Sequence, residues 1–277
     1  MAITERAGRM TRRRIIVGGF LGLLPAGGVA WDYVQYPVGL AALGHDVYYV
    51  EDTGLWPIYQ PGRRNTTDCS VNVAHLAAVM NAFGLGDRWA YRDEVSACWF
   101  GLTQARVREL CRTADIFLNI SCATPMREEY LAIPARALVD TDPMFTQIQY
   151  ETHVAFTDGT PSMRTLVDSH THHFTYGENI GDHKCLVPTG GIRWRHTRQP
   201  VCLEYWPQRP LPTGPGAAFT TIMNWTAGRP LAYNDETWGQ KNVEFERYFD
   251  LPGKVPAVSL TVAVGQTAGE PFAAARA

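Results

Sequence analysis

The tetrapeptide Asp140-Thr141-Asp142-Pro143 closes an apolar run, and proline then stops it. Two carboxylates two residues apart on an extended chain face the same side. Repulsion between them would raise one pKa and suit Asp142 to acid/base work, with Asp140 touching substrate; a hydrogen-bonded turn is the competing reading. Three of the eight histidines crowd into His170-Thr171-His172-His173, followed closely by Glu178 and Asn179. With Asp168 or Glu178, His170 and His172 have the donor types for a divalent metal or for proton handling. A metal site usually draws a further ligand from a separate segment, and none is identifiable. The preferred reading therefore makes these histidines the lining of a polar cleft, with His173 and Glu178 catalytic and His172 and Asn179 binding substrate hydroxyls. A third group, Thr189-Gly190-Gly191-Ile192-Arg193-Trp194-Arg195 with Arg198, sets backbone donors, cations and an indole close together. Gly190 and Arg193 could there hold a phosphate or a sugar ring, or the segment could be a surface loop between domains.

Two further acids sit beside glycines. Gly18-Gly19-Phe20-Leu21-Gly22 and Gly27-Gly28 fall between a strand-like run and a helical pattern. A ligand can approach such a loop closely, with Gly19 and Gly28 lining the cleft, or the glycines simply make a loose turn. The spacing is not GxGxxG, and the GK[ST] of a phosphate-binding loop is missing. Asp32 follows at the helix start, either as a base that accepts a hydroxyl proton or as a helix cap. Glu51-Asp52 ends the second strand-like run, where a dinucleotide-binding fold places its ribose-binding acid; a solvated strand end is the alternative.

These groups need a frame, and the apolar pattern supplies one. Arg14–Gly19 reads as a buried strand, 29–43 as a helix, and Asp46–Val50 as a second strand. Pro37 predicts a kink or a late start in that helix, and Gly44 its end. Helices follow at about 71–83, 103–113 and 127–131, with strands at 116–120 and 137–139. The 103–113 helix carries Val107, Leu110 and Cys111 as its stripe. Nearly continuous apolar strands alternating with helices predict a doubly wound α/β fold: a Rossmann-like parallel sheet with helices on both faces. Pro and Gly crowd into 207–217, which reads as a linker between a first domain (13–206) and a partial second α/β unit (218–277); residues 1–12 read as a disordered tail.

With 277 residues, 45% hydrophobic and 19% charged, the chain can bury a large core, which excludes wholesale disorder. A formal charge of −2 offers no field for nucleic acid or for an anionic membrane surface. The six cysteines form no CxxC pair and read as reduced core thiols of a cytoplasmic protein. An alternative concerns Thr11-Arg12-Arg13-Arg14 and the uncharged run after it, which resemble a twin-arginine export signal. That run is short and glycine-rich for a membrane span, and cutting after Ala30 would remove the first strand of a βαβ unit, so the strand reading is preferred.

Several blocks carry a resemblance: Arg14-Ile-Ile-Val-Gly-Gly, Gly28-Val-Ala-Trp31-Asp-Tyr-Val-Gln-Tyr, Leu40-Ala-Ala-Leu-Gly-His-Asp-Val-Tyr-Tyr-Val-Glu-Asp, Val139-Asp-Thr-Asp-Pro, His172-His-Phe-Thr-Tyr-Gly-Glu-Asn and Pro188-Thr-Gly-Gly-Ile-Arg-Trp. Over about 13–265 the chain resembles bacterial GT-B glycosyltransferases, through their amino-terminal domain and the start of the carboxy-terminal one. The resemblance implies two Rossmann-like domains facing a cleft, acceptor on the first and nucleotide-sugar on the second. It further implies a base near Asp32, where many relatives carry His, and Trp31 lining the acceptor cleft. No metal or cofactor is implied beyond the nucleotide-sugar co-substrate, since helix dipoles and cations can hold the diphosphate. The short second unit departs from the pattern and suggests a truncated donor side. The expected activity is glycosyl transfer to a hydroxyl acceptor; the alternatives are an exported metal-dependent hydrolase built on His170, His172 and His173, and a non-catalytic carbohydrate-binding remnant.

Overall fold

The run Ile15-Ile16-Val17 is almost completely buried, and its alternation explains the architecture. Ile15 and Val17 join one apolar cluster and Ile16 joins another, so the strand is covered on both faces. A computed structural model describes residues 11–57, 66–153, 162–210, 217–225, 230–239 and 241–264. Within it β1 (Arg14–Gly18) pairs in parallel with β2 (Asp46–Glu51) on one side and with β5 (Ile116–Ile120) on the other. Outward from β2 come β3 (Trp89–Arg92) and the antiparallel β4 (Trp99–Gly101). Outward from β5 come β6 (Ala135–Asp140), β7 (His172–Thr175) and β8 (Arg195–His196), all parallel. The eight-stranded order β4-β3-β2-β1-β5-β6-β7-β8 makes a Rossmann-like α/β sheet whose topological switch point lies between β1 and β5.

One face is covered by α1 (Gly27–Ala42) and α2 (Ser70–Ala82), which meet Ile15, Val17, Val47 and Tyr49. The other is covered by α3 (Gln104–Thr113) and α4 (Glu128–Leu131), which meet Ile16, Tyr48 and Val50. Thr103 caps α3, its Oγ1 accepting from the Arg106 N–H at 3.3 Å, and Val107, Leu110 and Cys111 are the buried stripe. α1 ends before Gly44, whose φ of +88° suits glycine. The late start expected from Pro37 does not occur: the helix begins at Gly27 and runs through the proline. Proline removes one helical donor, and the buried contacts of Tyr33, Val34 and Val38 around it hold the turn in place.

Arg13 and Arg14 lie at the opposite edge from the switch-point rim, paired with Asp115 at 3.0 Å and with Asp46 at 2.7 Å, so of the two readings of this segment the fold contains the strand. No helix among the described residues is long and apolar enough to cross a membrane. All six cysteines are free, and Cys98 corrects the core-thiol expectation, because it is exposed in the turn that joins β3 to β4.

The short elements β3, β4, α5 (Phe145–Glu151), α6 (Met163–Asp168), β7 and β8 are absent from the sequence reading, since two to seven residues are too few to establish a period. The chain divides into two units between Tyr205 and Trp206. In the second, β9 (Ala218–Met223) pairs in parallel with β12 (Ser259–Val264). Between them lie the hairpin of β10 (Leu231–Tyr233) and β11 (Glu236–Trp238) and the short helices α7 (Lys241–Phe245) and α8 (Leu251–Lys254). Asn234 and Asp235, both with positive φ, form the two-residue hairpin turn. The anticipated tail lies largely, and the linker mostly, outside the described residues.

Candidate active site at the switch point

Ligands of open parallel sheets bind beyond the carboxyl ends of the strands, where the strand order reverses. Here that place is bounded by the end of β1, the first turns of α1 and the turns after β5 and β6. Asn119, fully buried in β5, braces the first of those turns: its Oδ1 accepts from the Thr124 N–H at 3.0 Å and its Nδ2 donates to the Thr124 carbonyl at 2.9 Å. The braced turn holds Ser121 and Cys122 at φ of 58° and 55°, and Met144 after β6 sits at 82°. Left-handed backbone at non-glycine residues costs free energy and gathers where a site is shaped.

Ser121 aims its hydroxyl into a chain of hydroxyls. Tyr33 donates to Ser121 Oγ at 2.8 Å, and Ser121 Oγ meets Thr141 Oγ1 at 2.5 Å. Further along α1 the Tyr36 hydroxyl contacts that of Tyr176, which donates to Gln199 Oε1, while Gln199 Nε2 donates to the Asp32 carbonyl at 2.8 Å. Burial raises the pKa of Tyr33, Tyr36 and Tyr176, so all three stay protonated donors.

Asp32 and Asp142 converge here. The Asp32 carboxyl is raised above its ordinary value, first by burial and then by the negative charge of Asp142. Among the described residues no hydrogen-bond donor reaches its carboxylate, although its backbone carbonyl is held. Asp142 lies exposed after β6. A half-buried carboxylate with a raised pKa and no internal donor has the properties of a general base.

Asp140 does not share that face, which corrects the paired-carboxylate expectation. The chain turns immediately after β6, and α5 folds back so that Thr146 Oγ1 and Gln147 Nε2 donate to Asp140, each at 2.7 Å. Thr175 Oγ1 adds a third bond at 2.7 Å and the Asp142 N–H a fourth at 3.2 Å. The acid is buried and ties β6 to α5 and β7.

Glu51 and Asp52 are likewise neither ribose ligands nor solvated. Glu51 is fully buried and accepts from the Gly22 N–H at 2.8 Å, the Leu23 N–H at 2.5 Å and the Tyr49 hydroxyl at 3.0 Å, so it holds the glycine-rich loop. Burial outweighs those three donors and pushes its pKa up to about 7. Asp52 takes a two-pronged contact from Arg127 at 2.7 and 2.9 Å and a bond from the Tyr130 hydroxyl. The loop glycines divide accordingly. A Cβ on Gly19 would lie 2.3 Å from the Tyr33 ring, so Gly19 lets α1 close on β1 and leaves no room for a ligand, whereas Gly28 faces open space at the uncapped start of α1. Trp31, one residue before Asp32, lies partly exposed with its ring edge-on to Phe83.

The histidine stretch does not gather at this rim. β7 pairs His172 with Ala137 and Thr175 with Asp140, so the histidines enter the strand from its other end, about 10 Å away at the rise of a strand. His170 is a core residue: Nδ1 donates to the Leu166 carbonyl at 2.8 Å, which leaves Nε2 to accept from Asn119 Nδ2 at 3.2 Å. Burial lowers its pKa to about 4. His173 Nε2 donates to the Val167 carbonyl at 2.9 Å with its ring edge-on to Trp194, and His172 Nδ1 meets Thr171 Oγ1 at 2.8 Å. The Leu166 and Val167 carbonyls of α6, with Asn119 and Thr171, take up these rings one by one, which is why proximity in sequence does not become a metal-binding cluster. Among the described residues no three His, Cys, Asp or Glu side chains are placed to hold a metal ion, so the hydrolase alternative lacks a ligand set.

The third predicted group does come together. Glu178 and Arg193 line one cavity beside β8, and Arg198 bonds Glu178 through Nε at 2.7 Å. Asn179 is exposed in the adjoining turn, and Gly190, at a φ of +62°, presses on the Tyr150 ring. Sequence reasoning passed over Tyr33, Tyr36, Ser121, Tyr176 and Gln199. Asn119 was the available signal for Ser121, because an amide inside an apolar strand must find partners in the next turn. The spacing of Tyr33 and Tyr36 puts both on one helix face beside Asp32.

No protein-family model matches the chain, and a search of curated proteins finds no match. The likeness to glycosyltransferases therefore rests on the residues quoted above.

Proposed function

We propose that the chain transfers a glycosyl group from a nucleotide-sugar to a hydroxyl acceptor, with Asp32 as the base. The observation that carries this reading is the Asp32 carboxylate at the switch point, half-buried, unreached by any donor among the described residues and raised by burial and Asp142. In this scheme the acceptor oxygen attacks the anomeric carbon as Asp32 takes its proton, and the bond from that carbon to the diphosphate breaks, so the nucleoside diphosphate leaves with the electron pair. The Tyr33, Ser121 and Tyr176 hydroxyls supply groups that orient the acceptor. Gly27 and Gly28 offer unblocked backbone N–H groups at the start of α1 for an anion. The carboxylate alone is compatible with other hydroxyl-activating reactions; the resemblance of the quoted sequence blocks supports glycosyl transfer among them, and the absence of CxxC pairs supports a cytoplasmic setting.

The test is incubation of the chain with UDP- and GDP-sugars and a panel of hydroxyl acceptors, following nucleoside diphosphate release and the mass of the product. Turnover that falls 100-fold or more in Asp32→Asn, the range typical for loss of a positioned base, is the expected result. Turnover unaffected by that change overturns the role of Asp32. Neither turnover nor saturation-transfer NMR signal from any nucleotide-sugar overturns the activity.

A further inference from the structure

Beside β8 the loop after β7 and the loop before β8 border a half-open cavity of about 410 Å³, within the size range of small-molecule sites. Its floor is rigid. Trp194 and Ile180 belong to the apolar cluster that includes Leu138, Tyr150 and Val167. The Trp194 indole N–H is fixed on the Thr189 carbonyl at 3.1 Å and His196 Nε2 on the Ile180 carbonyl at 2.9 Å, so both rings present their edges in set orientations. One wall depends on left-handed backbone at Gly181, φ +92°, which faces open space where a Cβ would stand, and Gly191 at +75° turns the chain just before the lining residues Ile192 and Arg193.

The charges around this cavity are unequal in an informative way. Glu178 is held by Arg198, and Asp182 accepts the Lys184 N–H at 2.9 Å and lies 3.1 Å from His183 Nδ1. Arg193 is exposed on the cavity wall and, among the described residues, its guanidinium meets no acceptor. A bare phosphate is poorly served by such a wall, because two carboxylates, Glu178 and Asp182, face it and Arg193 is the one arginine that lines it. A neutral sugar would leave Arg193 unanswered. Carbohydrate hydroxyls donate and accept at once, which matches the Glu178–Arg198 pair, while the apolar faces of a pyranose match Ile180, Ile192 and the indole.

We propose that this cavity binds a sugar carrying a single anionic group, with Arg193 receiving the anion, the Glu178–Arg198 pair the hydroxyls, and Ile180, Ile192 and Trp194 the ring. The proposal concerns binding alone and stands apart from the assignment of Asp32.

Amide-shift NMR on the ¹⁵N-labelled chain tests it with four probes: D-glucuronate, D-glucose 6-phosphate, D-glucose and inorganic phosphate. Glucuronate or glucose 6-phosphate, or both, is expected to move the Trp194 indole N–H and the Gly181 and Gly191 amides, and the pattern separates carboxylate from phosphate as the anion. Glucose and phosphate should bind about 10-fold more weakly or not at all, and Arg193→Gln should weaken the anionic sugar by about 10-fold, as expected for loss of a charge-assisted contact. Arg193 is exposed, so the variant keeps its fold, which the dispersion of its own spectrum verifies. Equal shifts with phosphate alone, equal shifts with glucose, indifference to Arg193→Gln, or no shift with any probe would each overturn the proposal. Since the readout is chemical shift rather than turnover, its failure is distinguishable from failure of the transferase reading.

Discussion

Glu51 and Asp32 stand on the same rim of the same sheet, one at the end of β2 and the other at the start of α1, and their surroundings are opposite. Glu51 receives two donors from the loop it anchors and a third from Tyr49 on its own strand, and Asp52 beside it receives a guanidinium and a phenol. Asp32 receives none among the described residues and faces the charge of Asp142. Both Glu51 and Asp32 have raised pKa values, so a shifted pKa alone does not mark a functional acid. The distinguishing property is whether the fold has already filled the carboxylate's acceptor positions, because only an unfilled one can take a proton from a ligand at little structural cost.

The sharpest way to break this comparison is to exchange the consequences of mutation. Asp32→Asn should lower turnover by 10²-fold or more while leaving the melting temperature close to that of the parent, and a large loss of stability would instead make Asp32 a structural acid. Arg127→Ala should do the reverse. It takes the two-pronged partner from a buried Asp52 carboxylate, which keeps Arg92 at 3.7 Å and the Tyr130 hydroxyl, so denaturant unfolding is expected to show a clear loss that stays below the ~3–5 kcal/mol of a fully unpaired buried charge, with any remaining enzyme normal in turnover.

The pH dependence of stability sharpens the comparison further. Glu51 rises from an ordinary 4.5 to about 7, so between those values the unfolded chain has released a proton that the folded chain keeps, and stability falls as pH rises. His170 drops from 6.5 to about 4, so across nearly the same window the unfolded chain holds a proton that the folded chain has released, and stability climbs as pH rises. Each amounts to at most about 3 kcal/mol at roughly 1.4 kcal/mol per pH unit, and the two oppose each other. Urea unfolding from pH 4.5 to 6.5 should therefore be nearly flat in the parent, slope upward in Glu51→Gln and slope downward in His170→Gln. Parallel slopes in all three would refute the assignment.

The smallest expected effect is kinetic. Activity should increase with pH as Asp32 loses its proton, with a midpoint above that of an ordinary carboxylate. Asp142→Asn removes the like charge and should move that midpoint down, by less than the shift that burial maintains. An unmoved acid limb would separate the two aspartates.

Much of the sheet could be read from residue order, because Ile15–Val17, Val47–Val50 and Ile116–Ile120 are strand-length apolar runs that need cover on both faces. Asp32 and Asp142 were legible for the same reason: each follows such a run, and chain direction alone delivers both to one rim. The errors have a common origin. His170, His172 and His173 looked like a cluster because they are near in sequence, yet the α6 carbonyls of Leu166 and Val167 take up His170 and His173, and Thr171 takes up His172. Asp140 and Asp142 looked like a pair because an extended strand was assumed to continue, but β6 ends at Asp140, the chain turns at once, and Thr146 and Gln147 of α5 fold back onto Asp140.

Periodicity is a local property, and by itself it determined that strands and helices alternate, that β1 is buried on both faces, and that acids end two of the strands and stand near the start of one helix. Which of those acids remained available was settled only by folding. Some donors are local, Tyr49 for Glu51 and Asp142, Thr146 and Gln147 for Asp140, but the Gly22 N–H on Glu51, the Arg127 guanidinium on Asp52 and the Thr175 hydroxyl on Asp140 come from 29, 75 and 35 positions away. Hydrogen bonds of that span form only when the sheet order brings distant turns together, so no window of sequence contains the information that left Asp32 open.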